Sequence, residues 1–322
     1  MKALQYRTVG GKPQVVDVPM PEPGPGQVLL KVTAAGVCHS DEFIMSLPAD
    51  SYIYGLPLTL GHEGAGVVAA VGAGVSGFAA GDRVVAACGR TLAERVAVKA
   101  SQLLPAPRGL DFPAAAGICI TYFTTLHALR QRAALQAGET LLVLGAAGGV
   151  GTTAVELGKA LGATVIAAAS TDEKLEVARG LGADHLVNYS QQDLRDRIKE
   201  ITAGRGVDVV YDPVGGSLAE PALRSMAWKG RYLVIGFAGG DIPRIPLNLP
   251  LLKGCSIVGV FWGSFAQRER DVQRQNVAEL WGMFESGRLK PVVGETHPLA
   301  GYAAAFESLA GRRARGKVVV LP

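Results

Sequence analysis

The chain has 322 residues, 48% of them hydrophobic and 19% charged, with a formal net charge of +4. That length and that apolar content supply two cores and exclude a disordered chain. The positive charge is small and dispersed, with Arg312, Arg313 and Arg315 as its one cluster, so no nucleic-acid partner is expected, and no apolar run approaches the roughly 18 residues of a membrane helix.

The four cysteines, at 38, 88, 119 and 255, form no close pair, and no signal-peptide-like apolar core follows Met1. A reduced, cytoplasmic protein is the expectation. Residues 1–110 hold short β-rich runs, such as 28–32, 66–71 and 83–87, punctuated by glycine and proline, and predict a compact twisted β domain. The texture changes near residue 140. Leu141, Leu142, Val143 and Leu144 form an unbroken apolar run that predicts a strand buried on both faces. Gly145, Gly148, Gly149 and Gly151 then let the backbone turn tightly, while Ala154, Leu157 and Ala160 give the next helix a packing face. Strand, glycine turn and helix in that order aim helix amides at an anion. The favoured guest is a dinucleotide pyrophosphate held by Gly145, Ala147, Gly148, Gly149 and Val150.

Further strand-like runs at 164–168, 207–211, 231–235 and 256–260 alternate with helical stretches such as 172–181 and 194–202. This predicts an α/β fold with a doubly wound parallel sheet. About twenty residues past such a glycine turn, an acid at the end of the second strand would grip the ribose hydroxyls of NAD. Here Ala169 and Ser170 stand at that end and Lys174 follows within a helical turn, so NADPH is the expected cofactor. Beyond Gly263 the chain leaves the series, runs a helix-like segment over 271–285 and closes on a strand-like run over 316–321. A terminal strand has to pair with a sheet. The expected organisation is a catalytic domain of 1–115 and 263–322, a nucleotide domain of 116–262 inserted between them, and a cleft at the junction.

Gly61-His62-Glu63-Gly64, Gly81-Asp82-Arg83-Val84, the glycine turn 145–151 and Leu181-Gly182-Ala183-Asp184 occur in an order and spacing that resembles the medium-chain dehydrogenase/reductase superfamily along the whole chain. The resemblance implies a GroES-like β-rich catalytic domain, a Rossmann domain, and hydride transfer to or from a nicotinamide. Two branches are mixed. Residues 1–83, with Gly36-Val37-Cys38-His39-Ser40-Asp41, resemble a bacterial zinc-dependent secondary alcohol dehydrogenase. From Gly81 onward, including 208–216 and 244–249, the chain resembles a zinc-free NADPH:quinone reductase of the ζ-crystallin type. A chimera with its seam near Gly81, or a natural intermediate, accounts for the mixture.

For the zinc branch, the resemblance implies Cys38 and His62 as metal ligands, Ser40 as a proton relay and Glu63 as the carboxylate beside the metal. It puts Ile120 at the third ligand position, with Cys119 one residue away and pointing elsewhere. The four-cysteine structural-zinc lobe is missing, and Cys88 has no partner cysteine nearby. The zinc site is thus incomplete, with Glu63 as its available substitute ligand, and it is expected to be unoccupied. For the quinone branch, the resemblance implies Thr124 near the nicotinamide amide and Phe237, Phe261 and Trp262 along the cleft. It also implies Ser170, Lys174, Tyr189 and Arg312 around the 2′-phosphate. Cys38 stands where that branch commonly carries asparagine.

The leading expectation is a metal-free, NADPH-dependent reductase of quinones or related activated carbonyl or enone compounds, with Cys38, Ser40 and Thr124 nearest the chemistry. The alternatives are a zinc-dependent alcohol dehydrogenase and a catalytically silent NADPH-binding chimera. A small-molecule substrate, no membrane and a homodimer joined near 255–261 complete the expectation.

Overall fold

In the computed structural model, which describes residues 1–47 and 55–322, the first third of the chain is mostly strand and turn. Its strands are β1 (Lys2–Tyr6), β2 (Gln14–Asp17), β3 (Gln27–Val37), β4 (Leu58–Thr59), β5 (Glu63–Val71), β6 (Arg83–Ala86), β7 (Arg95–Lys99) and β8 (Leu103–Pro105). The middle carries β9 (Thr140–Leu144), β10 (Thr164–Ala169), β11 (His185–Asn188), β12 (Val207–Asp212), β13 (Met226–Val234) and β14 (Ser256–Gly259). The end adds β15 (Val293–Pro298) and β16 (Lys317–Leu321). The chain divides into two units, Met1–Ile120 with Pro291–Pro322, and Thr121–Lys290.

In the first unit β3 is the spine, pairing antiparallel with β5, β7 and β16. Val28, Leu30 and Val32 alternate inward along it and meet Leu4, Tyr6, Val68, Val84 and Val318 in one core. The β3–β5 register shifts between Val32 and Ala34, and there the strands come so close that a Cβ at Gly66 would lie 2.0 Å from the carbonyl oxygen of Lys31. A glycine is required at that crossing. β16 pairs with β3 through Val318 opposite Val37 and Val319 opposite Gly36, which brings the last strand beside the Cys38 turn.

The second unit is a six-stranded sheet in the order β11-β10-β9-β12-β13-β14, with every pairing parallel. Numbered from β9, that is the 3-2-1-4-5-6 order of a Rossmann fold. All five residues of β9 are buried, as expected of a central parallel strand covered on both faces. Thr171 and Asp193 cap the following helices, Asp172–Gly180 and Leu194–Ile201, by accepting the backbone N–H of Lys174 and Asp196. Strand order reverses between β9 and β12, so the crevice beyond the C-terminal end of β9 is where such a sheet takes its ligand.

The segment after residue 262, expected on the catalytic side, packs in the second unit as far as Lys290. The helices Trp262–Arg268 and Arg270–Glu285 are held there by aromatic contacts, Phe265 of the first stacked on His127 at 3.8 Å, and from the second Trp281 with Phe123 at 6.0 Å and Phe284 edge-on to Tyr122 at 4.9 Å. The buried Glu156 carboxylate accepts both the Tyr122 hydroxyl and the Lys290 N–H, which pins the end of the segment. Among the described residues no helix is long and apolar enough to cross a membrane.

Candidate functional site

β9 ends at Leu144, and the chain turns at Gly145 with φ of 59°. The turn is fixed by Ala146 donating its N–H to Ala168 O at 3.1 Å and by Gly148 donating to Gly145 O at 3.0 Å. Gly148 is then the extended N-cap of the helix Gly149–Ala160 and offers no side-chain cap. The amides of that first turn have no partner within the helix, and their dipoles favour an anion. Gly145, Gly148, Gly149 and Val150 are partly open, whereas Ala147 is buried. A Cβ at Gly151 would sit 2.1 Å from Gly145 O, so the helix can approach the turn only because that residue is glycine.

At the end of β10 Ala169 is buried and brings no carboxylate of its own. Lys174 Nζ donates to Ser170 Oγ at 3.1 Å, and Tyr189 donates its backbone N–H to Ala169 O at 3.1 Å. Ser170, Lys174 and Tyr189 therefore meet at one strand end. The next acid along the chain, Asp172, is turned to Asn188, whose Nδ2 donates to Asp172 Oδ1 at 2.7 Å. Arg312 belongs to the other unit, where it follows the helix Tyr302–Ala310 with φ of 54°. The open glycine turn, an alanine in place of an acid at the end of β10 and the Lys174 ammonium on Ser170 fit a dinucleotide bearing a 2′-phosphate.

Thr124 is half-buried on the helix Ile118–His127. Its neighbour Thr125 sets the rotation, because Thr125 Oγ1 lies 2.8 Å from both Thr153 Oγ1 and the Tyr211 hydroxyl. That bond pair ties the helix to the glycine-turn helix and to β12. Phe237 is 40% exposed and lies over Gly215, where a Cβ would come 2.9 Å from its ring. Phe261 is 76% exposed. Trp262 turns inward instead, with its ring 5.6 Å from that of Phe123 and its Nε1 donating to Gln273 Oε1 at 3.1 Å.

The first unit gathers a separate set. Cys38, at the end of β3, donates its N–H to Asp41 Oδ2 at 2.9 Å. The fully buried Asp41 also accepts the Gly61 N–H at 3.0 Å, and its Oδ1 holds His62 Nδ1 at 2.8 Å. Ser40 Oγ is 3.5 Å from the same His62 nitrogen. Burial opposes charging His62, but the Asp41 hydrogen bond and charge outweigh it and hold the imidazole above its ordinary pKa. Glu63 is fully buried, with Oε2 accepting the Ile120 N–H at 2.8 Å and Oε1 facing Lys317 Nζ at 2.7 Å. Lys317 Nζ also lies 3.0 Å from Cys38 Sγ. Burial pushes the Cys38 thiol up to about 12, with Lys317 pulling the other way, so the group is a thiol at neutral pH. Burial likewise opposes the charge on Lys317, yet Cys38 and Glu63 together hold its ammonium above the usual lysine value.

This donor set does not fit a zinc ion, which takes three or four lone pairs converging in a tetrahedron. Cys38 and Glu63 already face an ammonium, Ile120 has a hydrocarbon side chain, and His62, whose Nδ1 is bonded to Asp41, has only Nε2 left to offer. Cys119 is buried one residue away. Among the described residues no three of His, Cys, Asp and Glu are placed to hold a metal ion. Sequence reasoning missed Lys317, whose one signal was a lysine opening an otherwise apolar strand.

Residues 24–124 match the alcohol dehydrogenase GroES-like domain, and residues 149–279 match the zinc-binding dehydrogenase family. Over its whole length the chain is 36% identical to a quinone oxidoreductase of Pseudomonas aeruginosa, covering 99% of it. With 96% of its length it is also 36% identical to the quinone oxidoreductase-like protein 2 of Bos taurus, covering 89% of that protein. The Escherichia coli quinone oxidoreductase solved in complex with NADPH superposes with a TM-score of 0.91 at 29% identity, each chain covering 100% of the other. The parallel sheet with its glycine turn, the GroES-like unit and relatives matched from end to end establish that the chain belongs to the medium-chain dehydrogenase/reductase superfamily of oxidoreductases.

Proposed function

We propose that the protein is an NADPH-dependent reductase that delivers hydride, without a metal, to a quinone or a related activated carbonyl or enone acceptor. The observation that carries this reading is the corner at the end of β10, where Ala169 leaves out the ribose-gripping acid and Lys174 already bonds Ser170. The relatives named as quinone oxidoreductases support the acceptor class.

In this reading Thr121–Lys290 binds the nucleotide and Met1–Ile120 with Pro291–Pro322 is the catalytic unit. The bound nicotinamide supplies the hydride. Gly145, Ala147, Gly148, Gly149 and Val150 cradle the pyrophosphate, and Ser170, Lys174, Tyr189 and Arg312 surround the 2′-phosphate. Thr124 orients the nicotinamide amide, Phe237 and Phe261 flank the acceptor side, and Trp262 supports them from within. Cys38 and Ser40 are the residues of the catalytic unit assigned to the acceptor. A quinone is electrophilic without a Lewis acid, so positioning is the main task left to these side chains. The four cysteines are free thiols, which suits a reducing cytoplasm. The protein is proposed to work as a homodimer joined along β14.

The test compares dissociation constants for NADPH and NADH and then offers a benzoquinone and a secondary alcohol in the presence of a chelator. One charge-assisted contact to the phosphate is worth about 1.5–3 kcal/mol, so NADPH should bind about 10–100-fold tighter. NADPH oxidation by the quinone should persist under chelation, and the alcohol should not be oxidised. Equal or tighter NADH binding overturns the cofactor assignment. Tight NADPH binding with no acceptor reduced would mark the chain as a silent nucleotide-binding protein.

A further inference from the structure

Lys317 reaches its pocket along a path that the fold keeps clear. A Cβ at Gly36 would stand 2.6 Å from Lys317 Cε and 2.7 Å from Glu63 Oε1, and one at Gly117 would stand 2.7 Å from Lys317 Cγ. Two glycines from different segments thus make room for one lysine stem. Its ammonium ends 2.7 Å from Glu63 Oε1 and 3.0 Å from Cys38 Sγ, and those two acceptors are themselves 3.6 Å apart. A sulfur and a carboxylate oxygen converging on one cation is also how a divalent metal is gripped, at shorter range.

We propose that the Lys317 ammonium is the resident cation of this pocket, seated where Cys38 and Glu63 would otherwise grip a divalent metal, and that it bars zinc from the chain. Carboxylate and ammonium balance each other in a buried site. A metal could enter only by expelling a buried lysine or by sharing the pocket with a like charge, and both are costly away from water. Exclusion is then a property of residue 317 as well as of the hydrocarbon at Ile120. The inference is independent of which nucleotide or acceptor the enzyme uses.

Cobalt(II) is the probe, because a thiolate ligand gives it a near-ultraviolet charge-transfer band. The full-length protein, stripped with a chelator, is titrated with cobalt(II) and passed through a desalting column. The wild type should show no such band and retain no stoichiometric cobalt. K317M should retain one ion per chain with the band and bind it about 100-fold tighter than the wild type or more, and C38S/K317M should lose the band. A wild type that keeps one cobalt with a thiolate band overturns the proposal. So does a K317M protein that melts cooperatively with a native circular dichroism spectrum yet takes up no metal. K317Q, neutral and closer in polarity, is read by the same two outcomes if K317M does not fold. If neither variant folds, the wild-type titration decides by itself.

Discussion

Ala169 shows how one side chain can set a preference without touching much. It is 2% exposed at the last position of β10, with Ser170 bonded by Lys174 next to it and Asp172 engaged by Asn188, the residue opposite Ala169 in β11. Ala169→Asp would place a carboxylate beside Lys174, repel a 2′-phosphate and offer an acceptor to ribose hydroxyls. NADPH affinity should fall about 10–100-fold while NADH affinity rises, measured by fluorescence titration of the two cofactors. Unchanged NADPH affinity would show that the phosphate binds elsewhere. The missing acid was legible in the sequence because it concerns a residue's identity at a known strand end. The partners of Cys38 were not. Lys317 lies 279 residues from Cys38 along the chain and meets it only through the β3–β16 register, for which no local pattern exists. Asp41 likewise sits inside a quoted motif, yet its hold on His62 depends on how β5 starts beside the helix His39–Ser46.

Among elements, the βα series was readable because its signals are local. An apolar run as long as a strand, a glycine turn and a capped helix recur, and each is set by residues within a few positions of one another. The rotation of single residues was less so: Trp262 and Phe261 are adjacent, but one packs on Phe123 and the other is exposed. The helix Arg270–Glu285 was recognised as a helix, while the unit it joins is decided by Trp281 and Phe284, whose partners precede the glycine turn. A paired glycine experiment separates local from tertiary demands. At Gly151 a Cβ would strike Gly145 O at 2.1 Å, so Gly151→Ala should push the helix off the turn, cost about 1–3 kcal/mol and weaken nucleotide binding. At the exposed Gly282, within Arg270–Glu285, an added Cβ meets nothing within 4 Å. Gly282→Ala should therefore stabilise by about 0.4–1 kcal/mol through the unfolded state and the helix propensity. Thermal melts of the two variants read both signs. A neutral Gly151→Ala would mean that the turn has freedom to move.

For the whole molecule, the remaining question is what covers the open side of the second unit's sheet. β14 ends the sheet beyond β13, with Ile257 41% exposed on it. Around it the exposed apolar residues are unusually large: Trp228 at 70%, Leu247 at 80%, Leu251 at 78% and Leu252 at 72%. Trp228 is fixed where it stands, since Gly254, at φ of 58°, lies against its ring so closely that a Cβ would come 2.5 Å from it. A strand edge that no further strand covers among the described residues, beside exposed apolar side chains, is a liability in a monomer, and proteins usually blunt such edges with charge or proline. A two-fold axis at this edge would set β14 antiparallel to its copy, satisfy the free backbone groups and bury the leucines and the tryptophan against their equivalents. Sedimentation equilibrium at micromolar concentration should therefore give a dimer, and Leu251→Glu/Leu252→Glu should give a folded monomer. An Ile257→Lys variant should weaken association less, because it charges the strand without removing the helix contacts. Hydrogen exchange of those 256–259 amides that point away from β13 should be slow in the wild type and fast in the leucine double variant. A wild type that sediments as a monomer at every concentration would leave the edge open and remove the dimer. If the dimer survives in the double variant, association uses another surface of the chain, and the β14 amides that point away from β13 should then exchange fast in both proteins.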